Sequence, residues 1–214
     1  MSKKKVTVEV KNNLKNLVLL IEALDGFRRG RGVSLSMMEK AYYNLTIDLP
    51  VKWKYIKRII QSLIRYPMKD GRVFRHYKLL RWARTFTNTG IVMIIIGTVI
   101  ALIFGRSELT LASLFIGVGL VYSMFFLNWY SLKQIYKYYD EHADELSSRT
   151  KKLKDVAQML INIMREELIK YGISPTKYPL RLYNTDYRSI EVISKPTFYR
   201  KTFLCVISTE EKVN

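Results

Sequence analysis

Two stretches of the chain carry no charged side chain. Thr85 to Gly105 is 21 residues long and Leu109 to Leu132 is 24. A helix rising ~1.5 Å per residue crosses the ~30 Å hydrocarbon layer with about 20 residues, so both are long enough to span a membrane. The first is dominated between Gly90 and Phe104 by Ile and Val; the second ends in Asn128-Trp129-Tyr130, whose aromatic rings suit the headgroup zone. Only Arg106-Ser107-Glu108 separates them, and so short a connection predicts an antiparallel transmembrane hairpin. Burying two such helices in a soluble core would take more surrounding protein than 214 residues supply.

The flanking pattern is polar and mostly helical. Val6-Thr-Val-Glu-Val10 alternates like a short strand, and Leu14, Leu17, Val18, Ile21 and Leu24 then recur at the spacing of one helix face. A Gly- and Arg-rich loop, Gly26 to Gly32, follows. Ser36 with Glu39 predicts a capping box for a helix through Leu45, and Asp48 before Pro50 predicts a second helix running to about Tyr66. Asp70-Gly71 turns the chain into a basic, aromatic helix, Arg72 to Arg84, that leads into the first span.

Beyond the second span, Lys133 to Tyr171 contains neither Pro nor Gly. Leu146, Leu153 and Leu160, extended by Ala157, Met164 and Leu168, predict one long helix. Its apolar face is expected to pack on the N-terminal helices, because His142 and Arg149 interrupt the strict heptad that a coiled coil of two copies would use. Gly172, Pro175 and Pro179 end it. Tyr187 to Ser194 and Phe198 to Thr209 read as strands, with Val6, Val8 and Val10 available as a third, since a lone hairpin is marginally stable. The expected fold is an α-helical integral membrane protein: a basic cytoplasmic helical region (1–84), a two-helix hairpin (85–105 and 109–132), a long cytoplasmic helix (133–171) and a small β-containing tail (172–214).

Charge sets the expected orientation. The chain has 36 Lys and Arg against 18 Asp and Glu, a net +18. Residues 1–88 hold 20 of the basic side chains, residues 133–214 hold 15, and the connecting triplet holds one. Basic residues are retained on the cytoplasmic side, so both termini are expected there. The first 30 residues hold no apolar run long enough for a cleavable signal, which leaves the first span as the insertion signal. A single cysteine, Cys205, fits a reducing compartment and is expected as a small core residue.

Arg72, Arg75, Lys78, Arg81 and Arg84 step by three and form a slowly drifting stripe, with Trp82 among the aromatic residues beside it. Anionic lipid headgroups are its expected partner, at roughly 1 kcal/mol per basic group near such a surface. Two other readings stand beside this one: RNA, DNA or a ribosome, for which Arg28, Arg29 and Arg31 are the candidate phosphate contacts, and retention of topology alone. A helix-turn-helix DNA reader built on Lys52, Lys54, Lys57 and Arg58 is disfavoured, because Trp53, Ile56, Ile60 and Ile64 commit that helix to packing.

Within the spans, Gly97, Ala101 and Gly105 recur every fourth position, and Ser113 and Gly117 do the same in the second. Such faces let backbones approach closely; packing of the hairpin on itself is preferred to an oligomer contact or pore wall. Neither span holds an ionisable group at depth, which disfavours transport of charged substrates.

The stretch Gly32-Val-Ser-Leu35 with Glu39 and Ala41, ahead of helices and a membrane hairpin, resembles in outline the cytoplasmic helical module of secretion and pilus platform proteins over about a quarter of the chain. The second module and third span of such proteins have no counterpart here, and the resemblance assigns no family.

No phosphate loop, dinucleotide fingerprint, nucleophile elbow or His-Glu-x-x-His signature occurs, and two histidines with one cysteine leave no metal-ligand set; His142 among Asp140, Glu141, Asp144 and Glu145 reads as surface charge. Glu166-Glu167 and Glu210-Glu211 are adjacent instead of facing across a cleft. No enzyme activity and no cofactor are expected. The leading expectation is a membrane-anchored scaffold or accessory subunit that docks a partner complex or a second copy, with its basic face on lipid. The alternative is a self-associating two-span channel or membrane-perturbing effector.

Overall fold

The computed structural model describes residues 8–105, 107–197 and 200–209. It is mostly helical with one small antiparallel sheet, and two of its helices are long and apolar enough to span a membrane. The chain divides into two compact units: residues before Arg65 together with residues after Glu141, and Arg65–Glu141 between them.

In the first unit, α1 (Val8–Arg28) is the central element. Leu14, Leu17, Ile21 and Leu24 are fully buried as their spacing predicts, whereas Val18, expected on the same face, is only half-buried; Leu20, Ala23 and Phe27 are buried beside them, so the second half of the helix is enclosed on nearly every side. The alternation expected to give a strand ends in this helix instead. Val8 and Val10 are helical, because the 3.6-residue repeat that begins at Leu14 extends back to a buried Val10; Val6 lies outside the described residues.

α2 (Leu35–Tyr43) and α3 (Trp53–Arg65) follow, α2 packing on α1. The capping box is not formed. Ser34, not Ser36, stands at the N-cap, and neither it nor Glu39 satisfies the helix start. Glu39 accepts a 2.7 Å hydrogen bond from Trp53 Nε1 and lies 3.4 Å from Lys57 Nζ, tying α2 to α3. Trp53, Ile56, Ile59, Ile60 and Leu63 form the buried side of α3, while Lys52, Lys54 and Arg58 are exposed.

The long helix expected over 133–171 is divided at His142, where the backbone leaves helical geometry (φ −111°, ψ 30°). The part beyond it, α6 (Ala143–Tyr171), buries Leu146, Leu153, Ala157, Leu160, Met164 and Leu168, and it packs on α1 as expected. Gly172 (φ +61°) ends it in the left-handed conformation, with its N–H and that of Ile173 returning to Ile169 O and Leu168 O.

The sheet has the order β1-β3-β2, from β1 (Leu180–Leu182), β2 (Ile190–Ser194) and β3 (Phe203–Ile207). Both pairings are antiparallel, and Cys205 sits opposite Leu180 on one side and Val192 on the other. The third strand is therefore not the N-terminal valine stretch but a three-residue segment directly after Pro179. The strands are shorter than the apolar runs predicted, and Phe198 and Tyr199 lie outside the described residues. Cys205 is fully buried at the centre of the sheet.

The second unit is a pair of long helices, α4 (Gly71–Phe104, 34 residues) and α5 (Ser107–Glu141, 35 residues). A 3-10 turn at Pro67–Lys69 precedes α4. The basic aromatic segment and the first apolar segment are one uninterrupted helix, and so are the second apolar segment and residues 133–141. Gly105 closes α4 in the left-handed region (φ +62°); Arg106 lies outside the described residues.

Candidate functional site

The two units carry different candidates, and each is built from its own residues. In the hairpin, small side chains set the distance between α4 and α5. A Cβ on Gly97 would fall 2.3 Å from Ser113 Cβ, and one on Gly117 would fall 2.2 Å from Ile94 Cγ1 and 3.1 Å from the carbonyl oxygen of Gly90. Gly97, Ser113 and Gly117 are thus brought together across the hairpin. Gly90, which sequence reasoning passed over, belongs with them: it lies four residues before Ile94 on the same helix face. Gly105 makes no close approach and serves the turn instead; the side chain of Ala101 lies outside the described residues.

The apolar surface these helices share with each other is a minor part of what they carry. In the most apolar 18-residue window of each helix only 6% of residues are buried. A core helix of a soluble protein is mostly buried, so these helices are not core. Ile91, Val92, Ile95, Ile96, Leu102 and Ile103 on α4, and Phe115, Ile116 and Phe125 on α5, are all exposed, which far exceeds the apolar patch an ordinary soluble monomer shows water.

Cations and rings occupy the other end of the helix pair. Arg72, Arg75, Lys78 and Arg81 are exposed along α4; the side chain of Arg84 lies outside the described residues. Arg72 is 3.9 Å from Asp70, Arg75 Nε donates to Gly71 O at 3.4 Å, and Lys78 Nζ lies 4.8 Å from the centroid of the Phe74 ring. Trp82, 58% exposed, stacks on Phe86 with centroids 5.6 Å apart. On α5, Phe126 lies beside Trp129, and Lys133 Nζ is 5.4 Å from the Trp129 ring. Both helices therefore present rings with ammonium or guanidinium groups within one or two turns, the composition that suits a headgroup layer.

Arg28, Arg29 and Arg31 are placed differently. Asp25, fully buried in the last turns of α1, accepts hydrogen bonds from the backbone N–H groups of Tyr183 and Asn184, from Asn184 Nδ2 (2.8 Å) and from Tyr187 Oη (2.8 Å). Burial pushes its carboxyl above the usual carboxylate range, against the pull of these donors. Arg28 grips Asp186 through two bonds and donates to Tyr187 Oη at 2.9 Å. Its hydrogen bonds, first of all, hold the Asp186 carboxyl down at about 2; Lys154, 3.0 Å away, adds to this. Arg29 Nε donates to Asn184 Oδ1 at 3.1 Å, and the Arg31 guanidinium lies 4.9 Å from the centroid of the Tyr183 ring. All three arginines are thus engaged with residues 183–187, a clasp that holds the end of α1 to the segment between β1 and β2. Sequence reasoning missed it because the acceptors lie more than 150 positions away.

Among the described residues no group of three His, Cys, Asp or Glu side chains is placed to hold a metal ion. Burial pushes the Cys205 thiol up to about 11. No protein-family model, curated protein or solved structure matches the chain.

Proposed function

We propose that this protein is a two-span membrane anchor with both ends in the cytoplasm. In this reading the hairpin holds the α1–α3, α6 and sheet unit at the membrane surface, where it acts as a non-catalytic scaffold or accessory subunit for a partner complex, with the basic side of α4 against anionic headgroups. The observation that carries the reading is the pairing of two long apolar helices, whose most apolar windows are only 6% buried, with exposed cations and aromatic rings at one end of them. Water would face hundreds of Å² of hydrocarbon on such a pair, whereas a bilayer buries it without another protein chain. The 20 and 15 basic residues on the two flanks, against one in the connection, supply the orientation.

The lipid reading of the basic face is preferred to nucleic acid because Arg28, Arg29 and Arg31, the phosphate candidates, are engaged with residues 183–187. The channel alternative draws on the small-residue faces, and Gly97 and Gly117 already spend theirs on Ser113 and Ile94 of the same chain. Alkaline carbonate extraction of membranes from expressing cells tests the anchor: the protein is expected to stay in the pellet with integral proteins, and its release into the wash overturns the reading.

A further inference from the structure

We propose that the groove between α4 and α5 at the basic end of the hairpin is a binding site for one anionic phospholipid, an inference that rests on the membrane-anchor reading and sharpens it from a charged surface to a defined site. The groove has a volume of about 670 Å³; Arg81, Asn88 and Asn128, with Thr87 whose hydroxyl is turned back to Ala83 O, are its polar lining against an apolar side made by Val121, Met124 and Phe125. Arg81 also lines a neighbouring groove of about 440 Å³ with Lys78, Trp82 and Thr85. Among the described residues no acidic side chain lines either groove, and the Arg81 guanidinium has no carboxylate partner.

The antiparallel register, Gly97 against Ser113 and Gly90 against Gly117 and Val121, puts Arg81 level with the Asn128-Trp129 end of the second apolar segment. Asn88 follows two turns deeper, toward Val121. A guanidinium at that level attracts an anion, and the polar-to-apolar order below it matches a phospholipid read from the phosphate downward. Arg81 holds the phosphate with Asn128 beside it, the Asn88 carboxamide donates to an ester carbonyl, and an acyl chain lies along Phe125, Met124 and Val121. A free inorganic anion would leave that apolar side bare. A zwitterionic lipid brings its own ammonium to compete for its phosphate.

The test uses the full chain in bilayers of phosphatidylcholine at constant ionic strength, with lipids brominated on the acyl chain quenching the fluorescence of Trp82 and Trp129 while buried Trp53 supplies a constant background. Brominated phosphatidylglycerol is expected to quench at a mole fraction about fivefold lower than brominated phosphatidylcholine, the effect of one basic group at an anionic surface. Arg81→Gln is expected to bring the two curves together, and Asn128→Ala to move the phosphatidylglycerol curve in the same direction. Lys40→Gln on α2, an exposed cation outside the stripe that lines neither groove, is expected to leave both curves in place. Coincident curves for the parent protein, no effect of either groove variant, or displacement by inorganic phosphate would each overturn the site. Absence of quenching by brominated phosphatidylcholine itself would instead overturn the membrane anchor on which the site rests.

Discussion

Arg28 holds Asp186 through two parallel hydrogen bonds of 2.8 and 2.7 Å across 158 positions of sequence. A fork of this kind fixes orientation as well as distance, and here it does so beside a second carboxylate, Asp25, that is wholly buried. The two acids respond to pH with opposite sign. Asp186 titrates lower in the folded chain, at about 2, so its contribution is present above the ordinary carboxylate pKa of about 3.9 and is lost as the pH falls toward 2. Asp25 titrates higher when folded because of burial, so its ionisation opposes folding as the pH rises.

The difference in thermal stability between the parent chain and Asp186→Asn, measured in detergent, is therefore expected to be largest near pH 6 and to close between about pH 4 and 2. Its size at neutral pH is on the order of 1 kcal/mol, because Asp186 is 45% exposed and solvent screens the pair. Asp25→Ala is expected to cost more, about 3 kcal/mol, since it strands the Tyr187 hydroxyl, the Asn184 carboxamide and two backbone N–H groups in a buried place. A Asp186→Asn difference that persists unchanged at pH 2 would count against the clasp.

The hairpin was legible because an uncharged run of more than 20 residues has few alternatives, and its spacing of small residues reports helix contact directly. The clasp was not, since Asp25 and Arg28 read locally as an acid and a base at (i, i+3) spacing and nothing in the sequence pairs either with Tyr187 or Asp186. Alternation at Val6 to Val10 misled for a related reason: five residues fit a strand, but the chain continues into a 21-residue helix whose buried face already includes Val10. Leu180–Leu182 was hidden by its length, three residues behind two prolines, and only its partner β3 makes it a strand. The break at His142 likewise has no Pro or Gly to announce it.

Close approach at Gly97 predicts a reciprocal effect. Gly97→Ala places a methyl 2.3 Å from Ser113 Cβ, which cannot rotate away because it is fixed to the α5 backbone. The helices must separate, at about 1–3 kcal/mol for overpacking. Removing the opposing carbon in Gly97→Ala/Ser113→Gly is expected to recover most of the loss, measured as unfolding of the purified protein in mixed detergent. If Gly97 faced another copy instead, the single variant would change oligomeric state by size-exclusion light scattering and Ser113→Gly would not rescue it.

Orientation is testable at three serines. In a Cys205→Ala background, Ser107→Cys in the connection is expected to react with a membrane-impermeant maleimide added to intact cells, while Ser148→Cys on α6 and Ser208→Cys after β3 are expected to react only after lysis. The reverse pattern would invert the topology. Cys205 itself is expected to stay unmodified in the native chain even after lysis at pH 8, being buried and shifted up to about 11, and to react once the protein is denatured.

The stripe on α4 makes the last prediction, and it separates lipid attraction from topology retention. Changing Arg72, Arg75, Lys78 and Arg81 together to Gln removes four positive charges from one end of a helix whose most apolar window is only 6% buried. If the charges act by attracting anionic headgroups, the ratio of phosphatidylglycerol to phosphatidylcholine retained by the full chain after gentle detergent extraction falls. With roughly 1 kcal/mol for each engaged group, even two engaged residues imply a change of more than tenfold. The parent ratio should also fall as salt rises, because the exposed groups are screened beyond about 10 Å at 0.1 M. If the charges act only during insertion, the retained lipid is unchanged and the fraction of molecules labelled at a Ser208→Cys from outside intact cells rises instead. The two outcomes are read on the same batch of cells, labelled intact before extraction, and an unchanged ratio in correctly oriented protein would remove anionic lipid as the partner of this face.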